Sequence, residues 1–385
     1  MAMHSGEINL HIYPSTFTHE SRILRITRTL IAAGVFEKIL VLARWANGLA
    51  ETEAIDESRQ VWRIRRKLTE SHSGAIWKAL GTLEWSARLI TRTRGLAISC
   101  INSHSLPVLP VCVVLKYLKG AKLIYDTHEL ETEGPHLRGV RQKLSKILER
   151  NLIKFVDEIV VVNESIADWY RREYGLKNVR VVQNVPDRPL TLPEKTDLLR
   201  KKFDLAPDSI VYLHHGILGQ ARGIELLLDI FAGARPGNQL VLMGFGPLTE
   251  LAKDYARRYS NIHFHEAVKP EELGPLVASA DVGIFLVPNI CLSYYLALSN
   301  KFFEYINSGL PVLISDFPEF HKIISKYDCG WLIAEDEKAI SQLINEVSAD
   351  EVAEKKANAI RARKDFGWEF EEPKLLQVYE ELGFC

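Results

Sequence analysis

The sequence has no excess of charge of either sign. It contains 48 lysines and arginines against 49 aspartates and glutamates in 385 residues. A near-neutral chain has no global electrostatic reason to bind nucleic acid, so any basic surface must be local. The length exceeds one ordinary domain of roughly 100–200 residues, and we therefore expect two domains, each with its own core.

Cysteine is scarce, and its spacing does not suit a metal site. The odd number and wide separation without a CxxC pair fit a reducing cytoplasm. The five cysteines are Cys100, Cys112, Cys291, Cys329 and Cys385. The opening MAMHSGEIN lacks the basic and apolar regions of a secretory signal. The longest apolar run, 106–115, is shorter than the roughly 18 residues of a spanning helix. We expect a cytoplasmic protein, soluble or peripheral at the inner face of the membrane.

Short β-branched runs alternate with longer segments of helical period. The strands predicted in the first half are INLHIY, KILVLA, LAISCIN, AKLIYD, EIVVVN and VRVVQN. A polar, proline-containing stretch at 184–197 interrupts the pattern and predicts a linker. The alternation then restarts with IVYLHHG, QLVLMG, IHFHEA, VGIFLV and PVLISD. This βαβ order predicts two doubly wound α/β domains with parallel sheets.

Ligands of open α/β sheets bind beyond the carboxyl ends of the strands. The loop after the first predicted strand, YPSTFTHESR, lacks the GxGxxG of a dinucleotide-binding turn, which disfavours an NAD-type domain. After the fourth predicted strand, His128 stands beside Asp126 and Glu129. An imidazole at a strand end is a candidate polar group facing a cleft. A surface or capping histidine is the alternative.

Two segments of the second half suit a nucleoside diphosphate. In HHGILGQARG, Gly216 and Gly219 permit close approach of the backbone and Arg222 supplies a cation, although an ordinary strand-to-helix turn would look similar. In SNKFFEY, Asn300 and Lys301 begin a predicted helix. Glu304 lies three residues after Lys301 on the same face, where it can accept bonds from ribose hydroxyls. An exposed ion pair is the alternative there.

These loops, in this order, resemble those of the retaining glycosyltransferases of family 4 over nearly the whole chain. In the first half the match includes ESRILRITRTLIAAG, with an arginine near its start, and YDTHE, which resembles the loop of the family's active-site histidine. In the second half it includes NVP, HHGILGQARG, GFGPL, VASADVGIFLVP and NKFFEYINSGLPVLISD. The resemblance implies a GT-B fold of two Rossmann-like domains, 1–187 and 188–367, with a cleft between them. The ending WEFEEPKLLQVYEEL resembles the family's last helix, so residues 368–385 should pack back on the first domain.

The resemblance also implies roles for individual residues. Glu304 matches the second glutamate of the family's E-x7-E motif and would bind the donor ribose, beside Asn300, Gly216 and Gly219. Arg222 and Lys301 would neutralise the diphosphate and stabilise its departure, and His128 would line the donor-sugar and acceptor side. The expected catalytic residues are therefore His128, Arg222 and Lys301.

Two positions depart from the family pattern. Leu296 replaces the first glutamate of the motif, as in a branch of the family that makes capsule, exopolysaccharide and O-antigen, and Ile217 replaces a basic residue. Tyr294, Tyr295 or neighbouring backbone would then take over at the donor sugar. The chain has no DxD motif, so we expect no metal and no cofactor, with fixed cations in place of a divalent ion.

The expected activity is transfer of a hexose from a UDP- or GDP-sugar to a saccharide or lipid-linked saccharide in polysaccharide biosynthesis, with retention implied by the family alone. A GT-B epimerase, an inverting transferase and a catalytically silent GT-B partner are the alternatives. A basic segment at 137–155 and the tryptophans Trp62, Trp77 and Trp85 could contact an anionic membrane. A solvated helix face with core tryptophans is the other reading. No nucleic-acid partner is expected.

Overall fold

The computed structural model describes residues 8–18, 20–69, 74–194 and 196–384. The chain divides into two compact units, the first formed by Met1–Gln183 with Glu371–Cys385 and the second by Asn184–Phe370. The division after Gln183 lies slightly before the boundary expected after residue 187. Cys385 lies outside the described residues, and the other four cysteines are free thiols.

The first unit is built on an eight-stranded sheet. Its strands are β1 (Ile8–Ile12), β2 (Lys38–Arg44), β3 (Thr52–Ala54), β4 (Arg59–Ile64), β5 (Ile98–Ser103), β6 (Lys122–Asp126), β7 (Glu158–Val161) and β8 (Arg180–Val181). The connecting helices are α1 (Ser21–Ala32), α2 (Ala75–Arg92), α3 (Leu109–Lys119), α4 (Gly139–Leu152) and α5 (Glu164–Tyr174). The strand order is β3-β4-β2-β1-β5-β6-β7-β8. All neighbours are parallel except β3 and β4.

Three elements of this unit are absent from the predicted pattern. They are the edge strand β3, its neighbour β4 and the long helix α2. The strand β3 is fully exposed and β4 is half polar, so neither shows the apolar run that marks the central strands. The strand predicted as the fourth is therefore the sixth, β6.

The second unit repeats the same architecture with a six-stranded parallel sheet. Its strands are β9 (Ile210–Ile217), β10 (Asn238–Phe245), β11 (Ile262–Glu266), β12 (Val282–Phe285), β13 (Val312–Ser315) and β14 (Gly330–Ile333). Its helices are α6 (Leu198–Phe203), α7 (Ile224–Ala232), α8 (Thr249–Arg258), α9 (Pro270–Ala278), α10 (Leu292–Tyr295), α11 (Asn300–Asn307), α12 (Pro318–Tyr327), α13 (Glu337–Glu346) and α14 (Ala349–Ala362). The order is β11-β10-β9-β12-β13-β14. The sequence pattern left β14 and several of these helices unassigned.

Helices cover both faces of this second sheet. Alternate residues of β9 point to opposite faces, so Val211 packs in the cluster around Phe302 of α11 while Tyr212 packs in the cluster around Leu227 of α7. The arrangement leaves the carboxyl ends of β9, β10 and β12 at one edge, beside the start of α11.

The last helix, α15 (Glu372–Glu381), belongs to the first unit, whereas residues 368–370 of the segment expected to pack back belong to the second. The hydroxyl of Thr29 on α1 donates to the carboxylate of Glu372 at 2.8 Å. The ring of Tyr379 is buried against Phe36, and its hydroxyl reaches Asn102 on β5. The helix therefore inserts a polar group into the core of the first sheet.

Candidate functional site

In the second unit, the end of β9 passes directly under the side chain of Lys301. Gly216 has a φ of +111°, which L-residues with a Cβ rarely adopt, and a Cβ there would lie 2.5 Å from Cε of Lys301. On the neighbouring strand, a Cβ on Gly244 would lie 1.8 Å from the carbonyl oxygen of Gly216. Glycine is thus required at both turns, because the backbones and the lysine chain approach without room for side chains.

Lys301 lies in an environment that favours the loss of its proton. Burial and the neighbouring charge of Arg222 lower the pKa of Lys301 to about 8, although Glu304 opposes the shift. Its Nζ lies 4.7 Å from the ring centroid of Phe285, and Cζ of Arg222 lies 5.5 Å from that of Tyr294. Two cations held near one another in partly buried surroundings form a ready site for a polyanion.

Glu304 lies one turn further along α11, where its Oε2 is 3.5 Å from Nε2 of His215. Burial and the charge of Lys301 lower the pKa of His215 to about 3, so this imidazole is neutral at physiological pH. The contact is therefore not an ion pair. His215 lies near the end of the predicted strand IVYLHHG, directly before Gly216, so the same strand-end rule that selected Gly216 would have selected it.

At the start of α11, the backbone N–H groups of Lys301 and Phe302 already have partners, so side chains are the groups available to a ligand. The N-cap residue Ser299 accepts the N–H of Lys301 on its hydroxyl at 3.3 Å and that of Phe302 on its carbonyl at 3.1 Å. The side-chain oxygen of Asn300 is buried and accepts no hydrogen bond from any described residue. Gly219 has an ordinary φ, and a Cβ there would make only normal contacts, the nearest at 3.5 Å.

The second unit thus brings together five of the predicted donor-site residues at one edge of its sheet. They are Gly216, Arg222, Asn300, Lys301 and Glu304. Leu296, at the position of the missing glutamate, is 8% exposed and follows the short helix α10. The sequence reasoning missed His215 and Phe285, which border Glu304 and Lys301.

The remaining predicted residue, His128, lies in the first unit at the carboxyl ends of β5 and β6. Its Nε2 is 3.1 Å from Nδ1 of His104 and 3.6 Å from Oδ2 of Asp126. Arg22 of α1 forms a buried ion pair with Asp126 through Nη2 and Oδ1 at 2.7 Å. The Arg22 guanidinium and the two histidines hold the pKa of Asp126 well below its usual range despite its burial. His104 directly follows β5, so the strand-end rule could have found it.

Three of these side chains could together hold a metal ion. One ligand atom each from His104, Asp126 and His128 lies within 4.8 Å of the others. The carboxylate of Asp126 is already neutralised by Arg22, whose cation would stand beside any bound ion. The donor types suit a transition metal, but the adjacent guanidinium opposes the binding of a second cation.

A further acid lies at this edge of the first sheet. The carboxylate of Glu131 accepts the N–H of Leu106 at 3.2 Å. Burial raises the pKa of Glu131 to about 8. It therefore carries a proton near neutral pH and can donate a hydrogen bond.

An apolar surface on the first unit is formed by the outward faces of α2, α3 and α4, which contact one another in that order. We call it the three-helix surface. Its exposed members are Ile76, Trp77, Leu80, Leu83, Val114, Tyr117, Leu118, Val140, Leu144, Ile147 and Leu148. Basic residues border it, including Arg141 and Lys143 of α4.

The tryptophans proposed for a membrane contact are not alike. Trp85 is buried in the core and cannot contact a membrane, whereas Trp77 is exposed. No described helix is both long and apolar enough to cross a bilayer.

Comparison with known proteins gives the same division into two parts. The family model of Glycosyltransferase Family 4 matches residues 19–187, and that of Glycosyl transferases group 1 matches residues 209–350. A relative from Kluyveromyces lactis, Chitobiosyldiphosphodolichol beta-mannosyltransferase, is 22% identical over 389 residues, which cover 90% of this chain and 84% of the relative.

Solved structures share the fold over nearly the full length. Sucrose-phosphate synthase from Thermosynechococcus elongatus has a TM-score of 0.79 at 16% identity, covering 98% of this chain and 99% of its own. HepE of Anabaena, solved with UDP-glucose, has a TM-score of 0.74 at 16% identity, and the match covers 97% of this chain and 99% of HepE. With a family 4 domain in the first unit, a group 1 domain in the second and a GT-B fold throughout, the chain belongs to the glycosyltransferases.

Proposed function

We propose that this protein transfers a hexose from a nucleoside diphosphate sugar to a saccharide carried on a lipid. The observation that carries the proposal is the convergence of Arg222 and Lys301 beside Gly216, with Glu304 one turn further along α11. Two cations at a glycine turn suit a diphosphate, and a carboxylate at that distance suits the ribose hydroxyls.

The chemistry assigned to these residues is stabilisation of the leaving group. As the bond to the sugar breaks, negative charge grows on the departing diphosphate, and the cations of Arg222 and Lys301 lie where that charge develops. Because the protein holds both cations in place, we propose that transfer needs no metal. Chelation of divalent ions should then leave the rate unchanged.

The lipid-linked acceptor is supported by two independent observations. The name of the K. lactis relative specifies a saccharide on a dolichol diphosphate. The three-helix surface exposes apolar side chains with basic residues around them, a combination that binds anionic lipid surfaces. A protein that acts on such an acceptor needs a surface of this kind at the membrane.

The stereochemistry of the transfer, retention or inversion at the anomeric carbon, is a separate part of the proposal. The family resemblance implies retention of the anomeric configuration of the donor, whereas the name of the K. lactis relative specifies a β-linked product. Comparison of the anomeric configuration of product and donor by NMR decides between retention and inversion.

The test of the activity uses purified protein, UDP- and GDP-hexoses and a synthetic lipid-diphosphate disaccharide, with product detection by mass spectrometry. We expect a product heavier by one hexose. Lys301→Ala should abolish most of the transfer, while Lys253→Ala, which removes an exposed lysine of α8, should not. Binding of nucleotide without turnover of any donor would instead support a silent partner.

The membrane contact is tested separately by sedimentation with vesicles of phosphatidylglycerol and phosphatidylcholine. The double variant Leu144→Gln, Ile147→Gln should lose binding, because it removes two exposed members of the three-helix surface. Leu190→Gln changes a fully exposed leucine outside that surface and is the matched control. Equal sedimentation of all three proteins would remove this surface from the proposal.

A further inference from the structure

A chain of buried hydrogen-bonding groups runs from the last helix to His128. The hydroxyl of Tyr379 donates to Oδ1 of Asn102 at 2.8 Å, and Nδ2 of Asn102 is 3.4 Å from Nε2 of His11. Nδ1 of His11 is 2.7 Å from Nε2 of His104. Nδ1 of His104 in turn faces both Asp126 and His128, each at 3.1 Å. All of these groups except His128 are buried.

The protons in this chain have a preferred direction. His11 and His104 are fully buried and each faces a neighbouring imidazole, so a charged ring is unfavourable there and each ring carries one N–H. The amide of Asn102 is oriented by Tyr379 on its oxygen and by Asn9, whose Oδ1 accepts from Nδ2 at 3.3 Å. Its N–H therefore points at Nε2 of His11, which must accept.

The remaining protons follow from that first acceptor. His11 then carries its proton on Nδ1 and donates to Nε2 of His104. His104 consequently carries its own proton on Nδ1, where the carboxylate of Asp126 lies 3.1 Å away. The opposite arrangement would bring an unprotonated nitrogen against a carboxylate oxygen at that distance, where two lone pairs repel.

The same N–H of His104 determines which nitrogen of His128 carries a proton. Nε2 of His128 lies 3.1 Å from Nδ1 of His104, which carries this N–H, and so acts as an acceptor. The proton of His128 must then lie on Nδ1. That nitrogen has no hydrogen-bond partner among the described residues, and the side chain of His128 is 22% exposed.

Given the proposed sugar transfer, we propose that this chain keeps Nε2 of His128 as an acceptor and its proton on Nδ1, so that Nδ1 donates a hydrogen bond to an oxygen of the bound saccharide instead of removing a proton from it. Tyr379, Asn102, His11 and His104 are positioning residues in this arrangement. Asp126, paired with Arg22, ends the chain with a fixed negative charge.

The experiment is a long-range ¹H–¹⁵N NMR correlation on the full chain labelled with ¹⁵N-histidine, recorded without ligand. We expect a protonated-type signal for Nδ1 of His128 and an unprotonated-type signal for Nε2, assigned through their loss in His128→Gln. A proton on Nε2 of His128, or an equal mixture of tautomers, would overturn the proposal. Because no sugar is transferred in this measurement, its result does not depend on whether the proposed function is right.

A variant tests the direction of the chain. Asn102→Asp replaces the N–H that faces His11 by an acceptor, which then opposes Asp126 in setting the direction of the chain, so a second tautomer with the proton on Nε2 of His128 should appear. Transfer should then fall in proportion to the population of that second tautomer while nucleotide affinity is unchanged. Asn345→Asp, on a helix of the second unit, is the control and should change neither signal nor rate. An unchanged His128 tautomer in a folded Asn102→Asp protein would contradict the proposal, and if this variant does not fold, the wild-type spectrum decides.

Discussion

The side chain of Lys301 occupies the space that a Cβ on Gly216 would need, although 85 positions separate the two residues in the chain: such a Cβ would lie 2.5 Å from Cε of Lys301. The aliphatic chain of Lys301 therefore packs against the backbone at the end of β9 and does not extend into solvent. This position brings its ammonium group into a partly buried region, where burial and then the charge of Arg222 lower its pKa. The glycine thus determines both the position and the acidity of the lysine.

The affinity for UDP or GDP should decrease as the pH rises above about 8. The pKa of Lys301 is lowered to about 8, and a diphosphate binds the protonated form, so affinity is constant below this value and falls by up to about tenfold for each pH unit above it. Isothermal titration calorimetry from pH 6.5 to 9.5 measures the effect. Lys301→Arg keeps its charge throughout and should flatten the profile. A flat profile in the wild-type protein would contradict the assignment of Lys301 to the diphosphate site.

Gly216→Ala should weaken nucleotide binding and lower the melting temperature together. The substitution introduces a Cβ at a φ of +111° and displaces Lys301, at a cost of about 1–3 kcal/mol from the backbone alone. Gly237→Ala is the control, because a Cβ there meets no atom within 4 Å. Differential scanning fluorimetry with and without nucleotide separates the stability effect from the binding effect. If Gly216→Ala behaves like Gly237→Ala, the close approach of Lys301 is not maintained in solution.

Glu304→Gln should reduce donor affinity without unfolding the second unit. The amide keeps the shape of the side chain but loses the charge that strengthens bonds to ribose hydroxyls, worth about 1.5–3 kcal/mol. The substitution removes little interaction energy with the neighbouring His215, because that imidazole is neutral and its contact with Glu304 is not an ion pair at neutral pH. Calorimetry with a ribonucleotide and with its 2′,3′-dideoxy analogue is the measurement. An equal loss of affinity for both ligands would place Glu304 away from the ribose.

His128→Ala should leave nucleotide affinity unchanged and lower transfer by about 10²–10³-fold, the range found when one donor to a developing charge is removed. The nucleotide contacts proposed above all lie in the second unit, whereas His128 belongs to the first. Nucleotide affinity, melting temperature and transfer rate are measured on the same preparation. Normal transfer with a lowered melting temperature would identify His128 as a structural residue.

The second unit should become less stable as the pH falls below about 6.5. Folding lowers the pKa of His215 to about 3, so the unfolded chain binds a proton there at a higher pH than the folded chain does. Stability contributed by neutral His215 is complete above pH 6.5 and is lost as the pH falls towards 3. Urea unfolding at pH 7.5, 6 and 5 measures this dependence. His215→Gln should show a smaller change across the series, and an identical slope would assign the acid sensitivity to other groups.

The sequence alone was sufficient for most strands of the two α/β sheets, and it predicts the residues of the proposed diphosphate site. Buried central strands are continuous apolar runs, and a strand end followed by glycines or by a helix start marks the edge where ligands bind. Lys301 and Glu304 could be placed on one face of a helix because that placement depends only on the helical repeat. Each of these features is local, so a few neighbouring residues specify it.

Features that depend on distant partners were not visible. The strand β3 lies at the sheet edge and is fully exposed, and β4 beside it is half polar, so neither shows a continuous apolar pattern. The apolar faces of α3 and α4 would ordinarily indicate core packing, yet the fold leaves Tyr117, Leu118, Leu144 and Ile147 exposed. Helical periodicity shows that a face is apolar but not what covers it.

The surroundings of His128 show the difference most clearly. Its position after a strand was readable from the chain, because the run before it is short, apolar and β-branched. Its partners were not, because His11 and His104 become neighbours only when β1 pairs with β5, and Tyr379 joins them only when α15 docks on the first sheet. Sequence determined where an imidazole stands along the chain. The order of the strands and the docking of the last helix, which depend on contacts across 93 and 277 residues, decided which of its nitrogens faces another donor.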